Sequence, residues 1–173
     1  QVELRVMAHC SGDAKLIEAF EKDFDIHQHT ADTVFGKDLF LSDHERRKRA
    51  KIINFSVLYG SGAFSLSKEL GVGFKEAQEF IDMYFDKYRG VKAFMDRVVG
   101  EAEVNPVVKT IAGRIREIPE IMSANKTVKE NGKRMAINTV IQGSAADIIK
   151  IAMINIYRQL QGMESRLIMQ VHD

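Results

Sequence analysis

RKRAKIINFSVLYG, residues 47–60, places Arg47, Lys51, Phe55 and Tyr59 at every fourth position and closes on Gly60. At roughly 100° per residue in an α-helix, these four side chains fan over about 120° of surface. Ala50, Ile53 and Val57 then form a core-facing stripe on the far side. The row sets two cations ahead of two aromatic rings. Cations near its start can hold a chain of phosphates, and a flat ring further along can stack on a base. The spacing predicts a helix over residues 44–60 with the shape of a nucleotide laid along it.

Charge in this chain is patterned more than it is large. The net charge is +1, which alone does not mark a nucleic-acid partner. Yet Arg46, Arg47, Lys48, Arg49 and Lys51 fall within six residues, whereas the surroundings of Glu18 to Asp25 are acidic. A basic run by itself reads equally well as a solvated helix start or a localisation-like segment. Phe55 and Tyr59 following it favour phosphate binding. With 173 residues, 45% hydrophobic and 28% charged, the chain is far from disordered or membrane classes and can bury one sizeable core. Cys10 is the only cysteine, which excludes an intramolecular disulfide, and its neighbours in VMAHC favour a buried small hydrophobe. No apolar run reads as long enough to span a bilayer, and no signal-peptide pattern is present.

Helical periodicity dominates the rest. Glu3 to Cys10 reads as a short helix or strand-to-helix junction, and Ser42 or Asp43 can cap the helix that carries the row. Phe74, Ala77, Phe80, Ile81, Tyr84, Phe85 and Tyr88 follow i, i+3, i+4, i+7 spacing, which predicts an amphipathic helix with Tyr84, Phe85 and Tyr88 in the core. Val91 to Ala102 continues as a helix after a break at Arg89-Gly90. Val107 to Ile118 alternates around Ala112-Gly113 and predicts a small hairpin carrying Lys109, Arg114 and Arg116. Helix resumes at Lys126, with an interruption expected at Gln142-Gly143, and Leu167 to Val171 reads as a buried strand ending at His172 and Asp173. Arg134, Asn138 and Gln142 form a second i, i+4, i+8 row. On an otherwise apolar segment this reads as a hydrogen-bonded ridge between helices.

R-x3-K-x3-F-x3-Y-G resembles the nucleotide-binding helix in the fingers of family A DNA polymerases. QVELR at 1–5 resembles the tail of that family's first palm motif, D-Y-S-Q-x-E-L-R, and MQVHD at 169–173 resembles its last. DIH at 25–27, GRIREIPEI at 113–121 and INTVIQGSAADIIK at 137–150 are similar to further motifs, in the family's order. The resemblance covers essentially the whole chain. It departs at Arg89, where the family usually has proline in a turn. It implies an α+β, mainly helical fold, with a fingers subdomain inserted between pieces of a palm that has a small antiparallel sheet. The implied division is a palm piece at 1–20, fingers at 21–125 and a second palm piece at 126–173. The family's first metal-binding aspartate would fall three residues before the position of Gln1. The chain therefore reads as part of a larger enzyme, and the 173 residues alone are expected to be inactive.

The resemblance implies template-directed DNA synthesis, in replication and repair, by attack of a primer 3′-hydroxyl on the α-phosphate of an incoming deoxynucleoside triphosphate. Such a reaction asks for positioning and cations, met by two divalent ions about 4 Å apart, with Mg2+ the expected metal. Asp173 would be a catalytic metal ligand, and Lys51 the general acid for the departing pyrophosphate. Arg47, Lys51 and His27 match positions that contact the triphosphate. Without the family, His27 would be a partly exposed helix residue, and a metal pair with His29 is discounted because i, i+2 residues on a helix point apart. Glu3 matches the carboxylate that closes the space of a ribose 2′-hydroxyl, and Gln1 a nucleotide-side contact. Phe55 matches the ring beneath the incoming base and sugar, and Tyr59 and Gly60 the residues beside the templating base. Arg134, Asn138, Gln142, Gln170 and His172 match contacts to the primer-template minor groove and the primer end. The implied partners are primer-template DNA and deoxynucleoside triphosphates, with no membrane, for a monomeric protein that is either bacterial, cytoplasmic and nucleoid-associated or organellar. Two rivals share some of these features. A single-subunit RNA polymerase fits Glu3 and Phe55 less well, and a non-catalytic nucleic-acid-binding helical module does not account for Lys51, Glu3 and Asp173 together.

Overall fold

Ser42 accepts a hydrogen bond from the Glu45 N–H at 3.2 Å and starts helix α4 (Asp43–Leu58), with Asp43 and Glu45 in the first turn, where the helix dipole favours anions. Tyr59 ends it, and Gly60 turns the chain at φ +66°, a left-handed conformation suited to glycine. Ala50, Ile53 and Val57 are buried, so the stripe opposite the row is the core face.

A computed structural model describes residues 2–35 and 41–171 of the chain. Gln1, His172 and Asp173 lie outside the described residues. Before α4 come α1 (Val2–Ser11), α2 (Ala14–Glu21) and α3 (Ile26–Val34); after it come α5 (Ala63–Leu70), α6 (Phe74–Lys87) and α7 (Arg89–Val104). Strands β1 (Val107–Lys109) and β2 (Ile115–Glu117), a 3₁₀-helix (Pro119–Met122) and α8 (Lys126–Gln159) complete the order. The class is therefore mainly helical with a small two-stranded antiparallel sheet, in register Val107 opposite Glu117, Val108 opposite Arg116 and Lys109 opposite Ile115. One hydrophobic cluster joins Leu4 and Met7 of α1, Leu16 of α2, Ile53 of α4, Leu66 of α5, Tyr84 of α6 and Ile141 of α8.

The amphipathic reading of α6 holds at Ala77, Phe80, Ile81 and Tyr84, which are buried, as is Tyr88 just beyond it, but Phe85, expected in the core, is half-buried at its edge and Phe74 at the helix start is exposed. The break before α7 falls at Tyr88, and α7 itself begins at Arg89. Asp13 explains how this junction is held. Its Oδ1 caps α2 by accepting from the Leu16 N–H, and its Oδ2 accepts from the Gly90 N–H at 2.8 Å. A Cβ on Gly90 would lie 2.8 Å from Asp13 Cα, so only glycine permits this approach.

Three expectations are corrected in the C-terminal third. The interruption expected at Gln142-Gly143 does not occur; α8 runs unbroken for 34 residues. Its glycines answer to packing instead. A Cβ on Gly132 would lie 2.5 Å from the Ile121 backbone nitrogen, and one on Gly143 would lie 2.8 Å from Thr110 Cγ2. At Gly143 the hairpin is fastened to α8: the Thr110 hydroxyl and Arg114 Nε donate to the two oxygens of Asp147 at 2.6 and 2.9 Å, and Ser144 Oγ accepts from the Ile111 N–H.

Leu167 to Val171 is not a buried strand. These residues are irregular and exposed, from 38% at Leu167 to 92% at Ile168, and β1 and β2 form the only sheet among the described residues. A strand needs a neighbour to take its backbone hydrogen bonds. Finally, α8 is long and apolar enough to cross a membrane by length and composition, contrary to the expectation that no such run exists. Its buried residues run from Gly132 to Asp147, where it packs on α1, α7, β1 and the 3₁₀-helix, whereas Ile148, Ile151, Ile154 and Ile156 beyond them are exposed.

Candidate functional site

The α4 row runs from water toward the core edge: Arg47 and Lys51 are exposed, and Phe55 and Tyr59 are half-buried. The two rings lie 6.0 Å apart between centroids. At the row's end the Tyr59 hydroxyl donates to Glu3 Oε2 of α1 at 3.0 Å. Burial raises the Tyr59 pKa above its ordinary value, the Glu3 carboxylate adds to the rise, and Gln142, facing the same hydroxyl, opposes it. The phenol therefore stays protonated as the donor. Glu3, Phe55, Tyr59, Gln142, Lys150 and Gln170 line a cavity of about 600 Å³.

Arg47 is not idle at the other end. Its guanidinium donates to Asp25 Oδ2 at 2.8 Å, and Asp25 also caps α3 by accepting from the His27 and Gln28 N–H groups. Burial would raise the Asp25 pKa, but the bonds from Arg47 and the backbone hold it below the usual carboxylate range. This pair is half-exposed on both sides, so its net worth is no more than about 1 kcal/mol, and a phosphate can replace the carboxylate. Lys51 makes no salt bridge among the described residues and is free to take an anion.

His27 is buried, not partly exposed as its own segment suggests, because α3 packs along α4. Its ring lies 5.9 Å from that of Phe55, and its Nδ1 is 3.1 Å from Asn54 Nδ2. Burial lowers its pKa, with Arg47 and Lys51 reinforcing the effect against Asp25. The imidazole is therefore neutral.

The second row is a surface and not a ridge between helices. Arg134 and Gln142 are exposed, and Arg134 donates to Asn131 of its own helix at 3.2 Å. Asn138 is half-buried, with a buried Oδ1 that has no partner among the described residues. Gly60 brings this surface to the first row, since a Cβ there would lie 3.4 Å from Arg134 Cγ. Gln170 is exposed at the cavity mouth. The cavity lining thus brings together the Glu3 carboxylate, the Tyr59 phenol, the Phe55 ring, the Gln142 and Gln170 amides and the Lys150 ammonium, with Arg47 and Lys51 further along the α4 row. This set can take a flat polar ligand bearing an anionic tail. Among the described residues no group of three or more His, Cys, Asp or Glu is placed to hold a metal ion, and Asp173 lies outside them.

Three participants were missed by sequence reasoning. Asp25 stands in the acidic stretch as an ordinary cap, and only the fold shows that it faces Arg47. Asn54 and Thr30 are buried together. Asn54 had a signal: it lies four residues after Ala50 and three before Val57, a polar residue on the core-facing stripe.

Comparison with known proteins accords with this geometry. The sequence model of DNA polymerase family A matches residues 1–173. The thermostable DNA polymerase I of Thermus filiformis is 44% identical over 173 residues, which is 100% of this chain and 21% of that protein. DNA polymerase I of Pseudomonas aeruginosa is 46% identical over 175 residues, 100% of this chain and 19% of that protein. The chain thus spans about a fifth of the length of these curated relatives. The POL domain of Pol1 from M. smegmatis, solved in complex with DNA primer-template and dNTP, superposes with a TM-score of 0.93 at 40% identity, covering 100% of this chain and 31% of that one. With a family match over its whole length, the chain belongs to DNA polymerase family A.

Proposed function

We propose that this chain forms the fingers (21–125) and two flanking palm pieces (1–20 and 126–173) of a template-directed DNA polymerase, acting in bacterial DNA replication and repair in the cytoplasm. The observation that carries the proposal is the cavity shared by Glu3, Phe55, Tyr59, Gln142 and Gln170 at the end of a row headed by Arg47 and Lys51.

In this proposal Arg47 leaves Asp25 to grip phosphate oxygens in a fork, and Lys51, a compact charge one turn on, donates a proton to the departing pyrophosphate. Phe55 stacks beneath the incoming base and sugar. Glu3, held by the Tyr59 hydroxyl, fills the space a ribose 2′-hydroxyl would need. Tyr59 and Gly60 stand beside the templating base, and Gln1 on the nucleotide side. Arg134, Asn138 and Gln142, with Gln170 and His172, meet the minor groove of the primer-template, where acceptors occur on all base pairs and a correct pair is checked without reading sequence. The unpartnered Asn138 oxygen supports a polar ligand there. Mg2+ held by Asp173 would supply charge neutralisation at the reacting phosphate and activation of the primer hydroxyl. The protein acts as a monomer on DNA and deoxynucleotides.

Replacing Lys51 by Ala in the full-length protein is the direct test. Loss of a general acid slows nucleotide incorporation by about a hundredfold or more, while binding of primer-template duplex stays within about twofold, because Lys51 faces the phosphates of the nucleotide and not the duplex. Incorporation at an undiminished rate removes Lys51 from the chemistry.

A further inference from the structure

The α3–α4 interface encloses a polar cluster that packing alone does not require. Thr30 and Asn54 are fully buried, and His27 is 7% exposed. The Thr30 hydroxyl lies 2.8 Å from the Ile26 carbonyl oxygen and 3.1 Å from Asn54 Oδ1. Asn54 Nδ2 in turn lies 3.1 Å from His27 Nδ1. An amide nitrogen donates and cannot accept, so with the Asn54 amide in this orientation Nδ1 is the acceptor of this bond. A neutral imidazole that accepts at Nδ1 carries its proton on Nε2. His27 Nε2 has no hydrogen-bond partner among the described residues, and it is not among the side-chain atoms sealed from solvent without one. Its ring is flanked by Phe55 and lies within the electrostatic reach of Arg47 and Lys51.

We infer that Asn54 is a positioning residue that fixes His27 as the Nε2–H tautomer, so that the ring turns a hydrogen-bond donor, not a lone pair, toward a phosphate oxygen of the incoming nucleotide. That orientation of the Asn54 amide needs the single Thr30 hydroxyl proton to go to Asn54 Oδ1 and not to the nearer Ile26 carbonyl. The inference rests on the triphosphate contact proposed above for His27. Without the Asn54 donor the neutral ring is free to place its proton on Nδ1, and Nε2 then meets an anionic oxygen with its lone pair.

Histidine-selective 15N NMR of the full-length protein without nucleotide, at a pH where His27 is neutral, reads the tautomer directly, with the His27 signal assigned by its loss in His27→Ala. The expected result is a protonated Nε2 and a bare Nδ1. In Asn54→Asp the side chain only accepts, and the proton moves to Nδ1. Asn54→Leu raises the deoxynucleotide KM by about three- to tenfold with kcat changed by less than about twofold, the span of one hydrogen bond. In a His27→Ala background the same change adds nothing further, whereas a merely structural role persists there. An Nδ1–H tautomer in the unaltered protein, a tautomer indifferent to Asn54→Asp, or a KM penalty undiminished without His27 overturns the inference. An unchanged KM in His27→Ala refutes the triphosphate contact instead, and leaves the tautomer result standing.

Discussion

Removing one oxygen atom, by Tyr59→Phe, separates the proposed sugar gate from the residue that holds it. The hydroxyl donates to Glu3 Oε2 at 3.0 Å, and both side chains are half-buried. A hydrogen bond to a charged group is worth about 1.5–3 kcal/mol when buried, and partial exposure reduces this one to about 1 kcal/mol. If the bond serves to hold Glu3 against the sugar, its loss lowers discrimination by a factor of about five. Glu3→Ala removes the carboxylate itself, and discrimination must fall much further. The assay is single-nucleotide primer extension by the full-length protein, comparing kcat/KM for a deoxynucleotide and the matching ribonucleotide. The double variant completes a cycle in which Tyr59→Phe has no further effect once Glu3 is gone. Unchanged sugar selectivity in Glu3→Ala refutes the gate. A Tyr59→Phe loss as large as that of Glu3→Ala, or one that persists without Glu3, refutes the division of labour between them.

Gly132→Ala tests the packing of α8. Its Cβ would meet backbone atoms of Glu120 and Ile121 at 2.5 to 2.8 Å, so the overpacking cost exceeds the helix-propensity gain of about 1 kcal/mol and leaves a net loss of about 2 kcal/mol in urea unfolding. Gly100→Ala, in α7 with nothing near its would-be Cβ, should instead stabilise by about 0.5–1 kcal/mol; equal effects at the two sites contradict the packing. The lowered pKa of His27 has a defined sign in pH titration. The unfolded chain binds the proton more tightly, so the stability from neutral His27 is fully present above its ordinary value of 6.5 and is lost as pH falls through the lower folded value. Unfolding free energy therefore declines on acidification below about pH 6.5, and His27→Gln makes the decline shallower; identical slopes contradict a buried neutral imidazole.

The local periodicities were legible because each depended on near neighbours. Row and stripe on α4, the core face of α6 and the hairpin around Gly113 all follow from residues within a few positions of one another. What failed depended on distant partners. Gly143 looks like a helix breaker until Thr110, 33 residues earlier, is seen against it. Leu167 to Val171 looks like a strand because its apolar content is visible and its hydrogen-bonding neighbours are not. His27 looked exposed because its segment is polar, while the burial comes from α4. At the site, Arg47, Lys51, Phe55 and Tyr59 were found from spacing, whereas Asp25, Thr30 and Asn54 were not, since their roles arise only where α3 meets α4.

Primer extension by the full-length protein, with Mg2+ and four deoxynucleotides, beside an Asp173→Ala control, tests the central claim most directly. Template-directed extension that disappears in the control is the predicted result. Absence of extension while primer-template binding remains intact contradicts the claim, and leaves a helical module that binds nucleic acid without catalysis.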